Sequence, residues 1–436
     1  MQTLSVNNTN EKWPTVKLIE LVDYKKGKKP ADLIETPKSN YLPYIDIEAF
    51  EKGIINRYTS DKSAPVSNDN NDILVVWDGA RAGLVGKATG VVGSTLMKLT
   101  PKDVNRDYLL LYLLSKYEDI NKNPRGTGIP HVNPDIFWDL DVPTPSTEEQ
   151  SKIVFRLKSL MQDIKQGKSK IAKAKANLTN FRQAILTSAI TGKLTEDWRK
   201  GKNVEPSTIL FEKIKNQRKI KSKAPKSKLD FNSLPPLPEK WIYVYFGDIV
   251  SDFKYGTSEK SDYSYEGTPV LRIPNVISQK INTSDLKYLS KKETRGEYLV
   301  KNGDILIVRS NGSRDLVGKN ALISELDGDY AYASYLIRIR PVLVAPGYLS
   351  ILLNSDLGRR QLFSNAKSAA GINNINTQEL ASIVVPLPSI DEQNEIITKV
   401  NEYFEVADKT GLQIDKAEKQ ITKLTQAVLA KTFQGN

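Results

Sequence analysis

One sixteen-residue pattern occurs twice in this chain. Residues 142–157 read VPTPSTEEQSKIVFRL, and residues 385–400 read VPLPSIDEQNEIITKV, 243 positions later. Self-similarity of this kind is the signature of a repeated structural unit, so the chain is predicted to be a tandem duplication. Four further matches extend it: EKW at 11–13 with 239–241, YLPYIDI at 41–47 with GTPVLRI at 267–273, DILVVWDGARAGLVGKA at 72–88 with DILIVRSNGSRDLVGKNA at 304–321, and GIPHVN at 128–133 with GINNIN at 371–376.

Composition narrows the class of protein. The 436 residues, 39% of them hydrophobic, suffice for two or three domains with real cores. The sequence has no run of about 20 apolar residues that could span a bilayer and no signal-peptide pattern at its start, so we expect a cytoplasmic protein without a membrane partner. Zero cysteines and one histidine exclude disulfides and most zinc chemistry. The net charge of +12 favours a polyanionic partner such as nucleic acid.

Each half changes its pattern once. Short β-branched runs such as Ile73 to Trp77 and Ile305 to Arg309, separated by Gly, Pro and Asn, indicate strands, and Tyr108 to Tyr117 reads as a helix. A long helical pattern follows each Pro-x-Pro-Ser stop. The predicted fold class is therefore α+β: two similar mixed α/β domains separated by two long helices, with an internal pseudo-twofold duplication.

A serine followed three residues later by an acidic residue marks the start of both long helices. Ser146 with Glu149, and Ser389 with Glu392, have the spacing of a capping box. In that motif the two side chains bind each other's free backbone amides. We therefore expect both helices to begin at these serines.

Apolar residues recur every seven positions along both helices for about four heptads, which is typical of a coiled-coil seam. Gly167 and Gly411 lie at corresponding points, where we expect a bend or a local break. The seam positions are Leu157, Ile164, Ile171, Leu178 and Ile185 in the first helix and Val400, Ala407, Ile414, Ile421 and Val428 in the second, joined three residues further on by Leu160, Ala174, Phe181, Tyr403, Ala417 and Leu424.

Two matched seams within one chain are predicted to pair with each other. Because the intervening domain must return the chain to begin the second helix, we expect an antiparallel coiled coil, roughly 65 Å long at about 1.5 Å per residue. One domain would lie at each end, related by an approximate twofold axis, and such a pair can dock into two sites on a DNA dyad. The helices would then set the spacing of those sites. The alternative is that the coiled coil only dimerises the protein.

The order of these features resembles the specificity subunit of type I restriction-modification systems. The shared order is a Trp-led start, a Gly/Thr/Pro-like loop, a GDILIV strand, a Gly-x-x-x-x-Asn turn, and PLPS-x-x-EQ-x-x-I opening a long helix that ends A-IL-x-x-A-x-x-G. It covers nearly the whole chain. Two features depart from it: NDIL at 71–74 replaces GDIL, and the loop reads KKGKKP at 25–30 and YGTS at 255–258. The segments that carry the resemblance are 303–308, 371–376, 142–150, 385–393, 184–192 and 427–435.

The resemblance implies a DNA reader that is not itself an enzyme. Two target-recognition domains would each read one half of a bipartite sequence in double-stranded DNA, while the helices fix the spacer and dock two adenine-methyltransferase subunits. Restriction (translocase and endonuclease) subunits would join the full enzyme. This chain would bind no cofactor. S-adenosylmethionine, ATP and Mg²⁺ would belong to the partners, which flip the target adenine into their own pockets.

The sequence also lacks motifs for catalysis. It has no Asn/Asp-Pro-Pro-aromatic motif for amino methylation. LVGK at 84–87 and 316–319 is not a phosphate loop, because Arg81 and Ser313 replace the first glycine and no Ser or Thr follows the lysine. We therefore predict no catalytic and no metal site. The alternative function is a free-standing bipartite DNA-binding protein, outside any restriction complex, whose coiled coil only joins its own domains.

Polar and basic residues on Gly-rich or turn-like segments are the candidates for DNA contacts. Arginine pairs well with guanine, and asparagine with adenine, in the major groove. His131 corresponds to Asn374, and either side chain could contact a phosphate or base edge or hold its own loop. The candidates are Lys25, Lys28, Lys29, Arg81, Arg125 and His131 in the first domain and Lys254, Tyr255, Arg309, Asn311, Arg314 and Asn374 in the second.

A basic stretch connects the two halves. Residues 213–228 hold eight Lys or Arg and no acidic residue. A solvated spacer and a phosphate-contacting segment are both consistent with such a run. The predicted division is target-recognition domain 1 at 1–145, a central coiled-coil helix at 146–192, a basic linker with a short helix at 193–240, target-recognition domain 2 at 241–388, and a C-terminal coiled-coil helix at 389–436.

Overall fold

The chain divides into two compact units in a computed structural model. Unit 1 comprises Met1–Lys173 and Ile414–Asn436, and unit 2 comprises Ala174–Gln413. Each unit therefore combines one mixed α/β region with parts of two long helices. The structure describes residues 13–61, 63–126, 129–218, 234–277, 279–290, 296–313, 316–365, 367–369 and 372–433.

Unit 1 alternates short strands with short helices before its long helix begins. Its strands are β1 Thr15–Lys17, β2 Val22–Lys26, β3 Leu42–Ile45, β4 Tyr58–Thr59, β5 Val66–Ser67, β6 Ile73–Val76, β7 Val85–Gly86, β8 Gly90–Val92, β9 Leu96–Pro101 and β10 Asp141–Pro143. Its helices are α1 Leu18–Leu21, α2 Ile47–Lys52, α3 Arg106–Ser115, α4 Tyr117–Lys122, α5 Pro134–Trp138 and the first part of α6 Thr147–Ile190.

Two four-stranded sheets form the body of unit 1. The first has the order β2-β9-β6-β7 and is antiparallel, and the second has the order β4-β3-β8-β5, with β3 and β8 parallel. All four residues of β6, Ile73–Val76, are buried. Alternate residues of β6 face two separate clusters, one that includes α3 and one that includes Ile45 and Val92. A strand covered on both faces reads as a continuous apolar run, which explains the sequence ILVV.

Unit 2 repeats the main order of elements in unit 1 and adds further strands and helices. Its strands are β11 Ile242–Tyr245, β12 Val250–Tyr255, β13 Ser261–Asp262, β14 Pro269–Leu271, β15 Val276–Ile277, β16 Lys280–Ile281, β17 Lys287–Leu289, β18 Ile305–Val308, β19 Ser310–Asn311, β20 Asn320–Leu322, β21 Ala331–Tyr332, β22 Leu336–Pro341, β23 Lys367–Ala369, β24 Ile372–Asn374 and β25 Val384–Leu387. Its helices are the remainder of α6, α7 Glu196–Arg199, α8 Ser207–Gln217, α9 Pro346–Asn354, α10 Asp356–Asn365, α11 Thr377–Ala381 and the first part of α12 Ile390–Phe433, with 3₁₀ turns at Phe246–Asp248, Ile273–Asn275 and Gly296–Tyr298.

The first sheet of unit 2 has the same plan as that of unit 1, whereas the second sheet has its parallel pair at one end rather than in the middle. Their orders are β12-β22-β18-β20 and β13-β17-β14-β21, and β14 and β21 are parallel as β3 and β8 are. Strand β18, Ile305–Val308, is again fully buried. The short strands that bracket each unit also match, since β1 pairs with β10 and β11 pairs with β25. The predicted duplication and the predicted mixed α/β fold of both halves are confirmed.

The glutamine of the EQ motif locks each long helix to its own unit. Gln150 donates through Nε2 to the Pro145 carbonyl (2.9 Å) and accepts from the Asn105 amide (2.8 Å). Gln393 repeats both contacts, with the Pro388 carbonyl at 2.9 Å and an amide at the start of α9 at 2.8 Å. Both glutamines are buried. Each one therefore satisfies two backbone groups that water cannot reach.

A tyrosine anchors the proline stop in each unit. The Tyr108 hydroxyl donates to the Pro143 carbonyl (2.9 Å), and the Tyr348 hydroxyl donates to the Pro386 carbonyl. Burial raises the pKa of both tyrosines above the ordinary value, so each stays a neutral donor. The stop and the helix start thus form one hydrogen-bonded joint in each repeat.

Only half of the predicted capping box forms at α12. The Ser389 Oγ accepts from the Glu392 amide at 3.3 Å, as expected. The Glu392 side chain, which is fully buried, instead accepts from Trp241 Nε1 (2.8 Å), Thr195 Oγ1 (2.6 Å) and the Arg199 guanidinium. The acidic residue therefore ties the α7 region of the linker, and Trp241 just before β11, to the start of α12.

The two long helices run antiparallel in both units. In unit 1 an added Cβ at Gly167 of α6 would lie 2.8 Å from Ile421 Cδ1 of α12. In unit 2 an added Cβ at Gly411 would lie 3.4 Å from Leu178 Cδ2, and Arg182 forms an ion pair with Asp408. Earlier residues of α6 thus meet later residues of α12, so the predicted antiparallel coiled coil is confirmed. The expected local break at the glycines is wrong, because both helices continue through them and use them for close packing, whereas the expected bend stays a prediction.

The first set of heptad positions lies inside this contact. Leu157, Ile164, Val400 and Ala407 are buried. The other members, Ile171, Leu178, Ile185, Ile414, Ile421 and Val428, are partly buried.

Four of the six residues in the second set of heptad positions are more exposed than expected. Leu160, Tyr403 and Leu424 are 44%, 42% and 51% exposed. Ala174 and Ala417 are partly buried as expected, and so are Met161 and Phe404, which lie four rather than three residues after a seam position. At 3.6 residues per turn a step of four stays nearer the same face than a step of three, which explains the shift.

The helix that carries the described part of the basic stretch packs one face against unit 2. Leu210 and Ile214 of α8 are buried in the main cluster of unit 2. Lys213 pairs with Glu205 (3.0 Å), and Arg218 donates to the Asp248 carbonyl (3.0 Å). The side chains of Lys213 and Lys215 are nevertheless exposed, so a solvated spacer and a phosphate-contacting segment both stay predictions for the run. The remainder of the run, from 219 onward, lies outside the described residues.

Candidate nucleic-acid interface

The central strand of the first sheet ends at a corner of the same construction in both units. The turn after β6 is matched by the turn after β18 at the sequence offset of 232, and the segment just before α5 or α11 closes the corner by strand-like pairing. Side chains at these corners project from the ends of buried strands, so the sheet fixes their backbone. Corner 1 comprises Lys26, Trp77, Asp78 and His131, and corner 2 comprises Tyr255, Arg309, Ser310 and Asn374.

Asp78 organises corner 1. Its Oδ2 accepts from Lys26 Nζ at 2.6 Å, and its Oδ1 lies 2.8 Å from His131 Nδ1. The side chains of Lys26, Asp78 and His131 are 38%, 25% and 47% exposed. The corner thus presents a carboxylate flanked by two nitrogen-bearing side chains to solvent.

Aromatic rings hold corner 1 from below. Trp77 packs edge-on to Phe137 (5.4 Å between centroids) and tilted against Trp138 (5.8 Å). Tyr24 packs on Trp138 at 4.4 Å and is 48% exposed. Lys26 Nζ lies 5.8 Å from the centre of the Trp77 ring. The rings limit the motion of the side chains above them.

Arg309 organises corner 2. Its guanidinium lies 4.4 Å from the centre of the Tyr255 ring, and its Nε donates to Asn374 Oδ1 at 3.3 Å. The Tyr255 hydroxyl accepts from the Thr377 amide at 3.3 Å, which fixes the ring. Tyr335, whose carbonyl accepts from the Arg309 amide at 3.0 Å, is 61% exposed beside it.

Several predicted residues lie next to the corners. Arg125 exchanges two backbone hydrogen bonds with His131, at 3.0 and 3.2 Å, so its exposed side chain leaves from the same hairpin. Lys25 is exposed on β2, and Lys28 and Lys29 are exposed just after it. These lysines and Arg125 follow the elements that build corner 1.

Other predicted residues form ion pairs or hydrogen bonds with residues of their own unit. Arg81 lies 3.6 Å from Glu51, and Lys254 pairs with Glu297 at 2.6 Å. Asn311 uses its Oδ1 to accept from the Ser313 amide at 2.8 Å. Arg314 lies outside the described residues.

Sequence reasoning missed Lys26, Trp77, Asp78, Trp138 and Tyr335. The repeat alignment carried a signal, because Trp77 stands opposite Arg309 and so marks a position where the two halves differ in chemistry. Strand register was needed to find Lys26, since the loop after β2 has no clear match in the alignment.

The described residues offer neither a metal centre nor a membrane segment. No group of three or more His, Cys, Asp or Glu that could hold a metal ion occurs among them. Within the same part of the chain, no helix has the length and apolarity needed to cross a bilayer.

Comparison with known proteins gives a consistent family. A model described as the type I restriction modification DNA specificity domain matches residues 10–174 and again residues 238–417. The chain is 27% identical to the type I restriction enzyme EcoKI specificity subunit of Escherichia coli strain K12, covering 96% of this chain and 86% of that protein. It is also 27% identical to the MjaVIII specificity subunit of Methanocaldococcus jannaschii, covering 95% and 92%.

Solved structures agree on the fold. A chain from a structure that concerns complex assembly and conformational transition of the type I R-M system superposes with a TM-score of 0.66 at 19% identity, covering 97% of both chains. The HsdS subunit from Thermoanaerobacter tengcongensis gives a TM-score of 0.51 at 18% identity, again covering 97% of both.

Family and fold together define what the protein does. The specificity domain occurs twice, once in each half of the duplication, which fits recognition of a target in two parts. The protein is a non-catalytic, sequence-specific DNA-recognition subunit that works within a restriction-modification complex. The chain belongs to the family of type I restriction-modification specificity subunits.

Proposed function

We propose that unit 1 and unit 2 each read one half-site through corner 1 and corner 2. The observation that carries this proposal is that solvent-accessible, hydrogen-bonding side chains occupy the same place in both units, exposed or half-buried in corner 1 and half-buried in corner 2, although their identities differ. Two units that read different base sequences need side chains at equivalent positions but with different hydrogen-bonding groups. The reason is that base edges are distinguished by their donor and acceptor pattern.

The basic residues around corner 1 would hold the phosphate backbone. Lys25, Lys28, Lys29 and Arg125 are exposed, and no ion pair joins them to another described residue. Such side chains attract phosphates without reading sequence, and they make binding depend steeply on salt. Replacing Lys28 and Lys29 with alanine should weaken binding to all sequences alike.

In unit 2 the corresponding contacts would come from Lys254, Tyr255, Asn311 and Asn374, with Arg309 at the centre. Lys254 already pairs with Glu297, and we infer that a phosphate would compete for it. Arg314 remains a candidate on sequence grounds alone.

The paired helices would set the separation of the two half-sites. Each helix has 44 residues, and its antiparallel partner packs closely at a glycine. A straight helix of that length spans about 66 Å at about 1.5 Å per residue. Packed helices resist bending, so a fixed spacer follows.

The same helices would also dock the partner subunits. Phe155, Val406 and Leu412 are 76%, 59% and 70% exposed, the highest values among the large apolar residues in the described parts of the two long helices. Apolar side chains of this size at an exposed surface favour contact with another protein. We infer that two adenine-methyltransferase subunits bind there, and that restriction subunits join them.

Catalysis and cofactors would reside on those partners. S-adenosylmethionine for methylation, and ATP with Mg²⁺ for restriction, are expected in partner pockets. The complex would act in the cytoplasm, where it meets DNA. The alternative, a free-standing bipartite DNA-binding protein, makes the opposite prediction for the experiment below.

Replacement of one target-recognition domain tests the proposal. Residues 1–145 are replaced with the corresponding segment of another specificity subunit, and the chain is purified with candidate methyltransferase subunits. Methylated positions are then mapped by sequencing. We expect a stable complex, methylation at one asymmetric bipartite site that depends on this chain, and a change in one half-site only.

Two results would refute it. If no complex forms and methylation does not depend on this chain, the free-standing alternative is favoured. If the exchange alters both half-sites, the units do not read independently.

A further inference from the structure

We propose that corner 1 and corner 2 each decide one base pair, by opposite chemistry. Arg309 of corner 2 would read a guanine in one half-site. Asp78 of corner 1 would accept a hydrogen bond from the exocyclic amino group of a cytosine or an adenine in the other. This inference rests on the proposed function and adds to it the class of base that each unit takes.

Strand register makes the two corners equivalent position by position. Lys26 pairs with Met97 of β9, and Tyr255 pairs with Ile337 of β22. The residue before each corner also pairs alike, since Val76 meets the first residue of β9 and Val308 meets the first residue of β22. A cation and an aromatic ring thus occupy the same two sites in both corners.

Their roles are reversed between the units. In corner 1 the ring, Trp77, follows the central strand, and the cation, Lys26, ends the outer strand. In corner 2 the cation, Arg309, follows the central strand, and the ring, Tyr255, ends the outer one. The positive charge therefore lies at the end of the outer strand in unit 1 and after the central strand, two strands away, in unit 2. The backbone arrangement is the same in both units.

The orientation and hydrogen bonding of Arg309 suit recognition of a guanine. The Tyr255 ring, at 4.4 Å, orients the guanidinium plane, and the contact to Asn374 uses only Nε. The two terminal nitrogens have no hydrogen-bond partner among the described residues. A guanidinium edge held in this way donates two parallel hydrogen bonds, which match the O6 and N7 acceptors of guanine.

Asp78 is prepared for an amino group. Lys26 and His131 each engage one carboxylate oxygen, at 2.6 and 2.8 Å, and each oxygen keeps a further lone pair. The Lys26 ammonium balances the carboxylate charge, which would otherwise repel the phosphates. A carboxylate accepts from cytosine N4, and adenine N6 offers the same donor.

The competing reading is that both corners only hold their loops. Lys26 to Asp78 and Arg309 to Asn374 would then be internal contacts with no role in sequence choice. The two readings differ in one respect, since loss of a loop contact lowers stability or affinity for all sequences, whereas loss of a base contact changes the preference at one position.

The test uses the complete methyltransferase complex with a DNA library randomised in both half-sites. Methylation is scored by sequencing for wild type, Arg309→Ala, Arg309→Lys and Asp78→Asn. The matched controls remove exposed charges in the same units: Lys200→Ala for unit 2 and Glu118→Gln for unit 1. Arg309→Lys keeps the charge but not the fork, so it gives a result even if the alanine variant folds poorly.

We expect both Arg309 variants to lose about 10-fold or more of the discrimination at one guanine position, with the other half-site unchanged. Asp78→Asn should cause a loss of similar size at one cytosine or adenine position of the opposite half-site. The controls should match wild type at every position.

Unchanged preferences at every position in these variants would overturn the inference, whether or not overall activity falls. So would a loss spread evenly over the half-site, because that is the signature of a loop contact. The proposed function fails separately: in that case the wild-type complex itself would show no bipartite site.

Discussion

The buried carboxylate of Glu392 supports a prediction about stability. Glu392 is 0% exposed and accepts from Trp241 Nε1, Thr195 Oγ1 and Arg199. Replacing it with glutamine keeps the size but removes the charge and points an amide donor at other donors. Breaking a buried ion pair from one side costs about 3 kcal/mol or more. The matched control is Asp408→Asn, which removes an exposed pair with Arg182 and should cost about 1 kcal/mol or less.

Hydrogen exchange followed by mass spectrometry measures this difference locally. The loss of about 3 kcal/mol in Glu392→Gln should speed exchange about 100-fold in peptides that cover the start of α12 and β11. Peptides from unit 1 provide an internal reference. Equal effects of Glu392→Gln and Asp408→Asn, or no change in Glu392→Gln, would refute the claim that the buried network holds the linker, β11 and α12 together.

Three further predictions concern the repeats. Gln150→Ala and Gln393→Ala should each lower stability by about 2 kcal/mol, because each leaves two buried backbone groups unpaired. Hydrogen exchange at the starts of the two long helices would measure this loss. An effect in only one repeat would contradict the equivalence of the two glutamines. Gly411→Ala should stabilise α12 by about 0.5–1 kcal/mol, whereas Gly167→Ala should increase stability less, since its Cβ would lie 2.8 Å from Ile421. Thermal denaturation of the two variants measures the difference. An equal gain in stability would contradict the close packing at Gly167. Burial alone would raise the pKa of Asp107, but the hydrogen bond from Lys158 and the charges of Arg106 and Lys87 outweigh it and lower that pKa. Its contribution to stability is therefore complete above the ordinary pKa of about 4 and is lost as pH falls further, so Asp107→Asn should flatten acid unfolding below about pH 4, and an unchanged acid profile would contradict this.

Much of the architecture followed from periodic and repeated patterns. The matched segments predicted the duplication, and the heptads at Leu157 and Val400 predicted the antiparallel helices. These features are local or depend on a single repeat offset, so a sequence displays them directly.

Other features depended on contacts between distant residues. The sequence predicted that Glu392 would cap its own helix, but Trp241 and Arg199 compete for it after the chain folds. Corner 1 depends on a contact between Lys26 and Asp78, which are 52 residues apart, and only strand register reveals it. The sequence predicted a bend or a local break at Gly167, because it does not reveal which residue of the other helix packs against this glycine.

The spacing of the two half-sites tests the central claim most directly. Seven residues with a matched seam are inserted into α6 and the same number into α12, which lengthens the pair by about 10.5 Å at about 1.5 Å per residue. Methylation mapping of the complex should then give both half-sites unchanged and a spacer longer by one to about three base pairs, at about 3.4 Å each. Unchanged half-sites with an unchanged spacer would contradict the claim that the paired helices set the distance between two DNA-reading units.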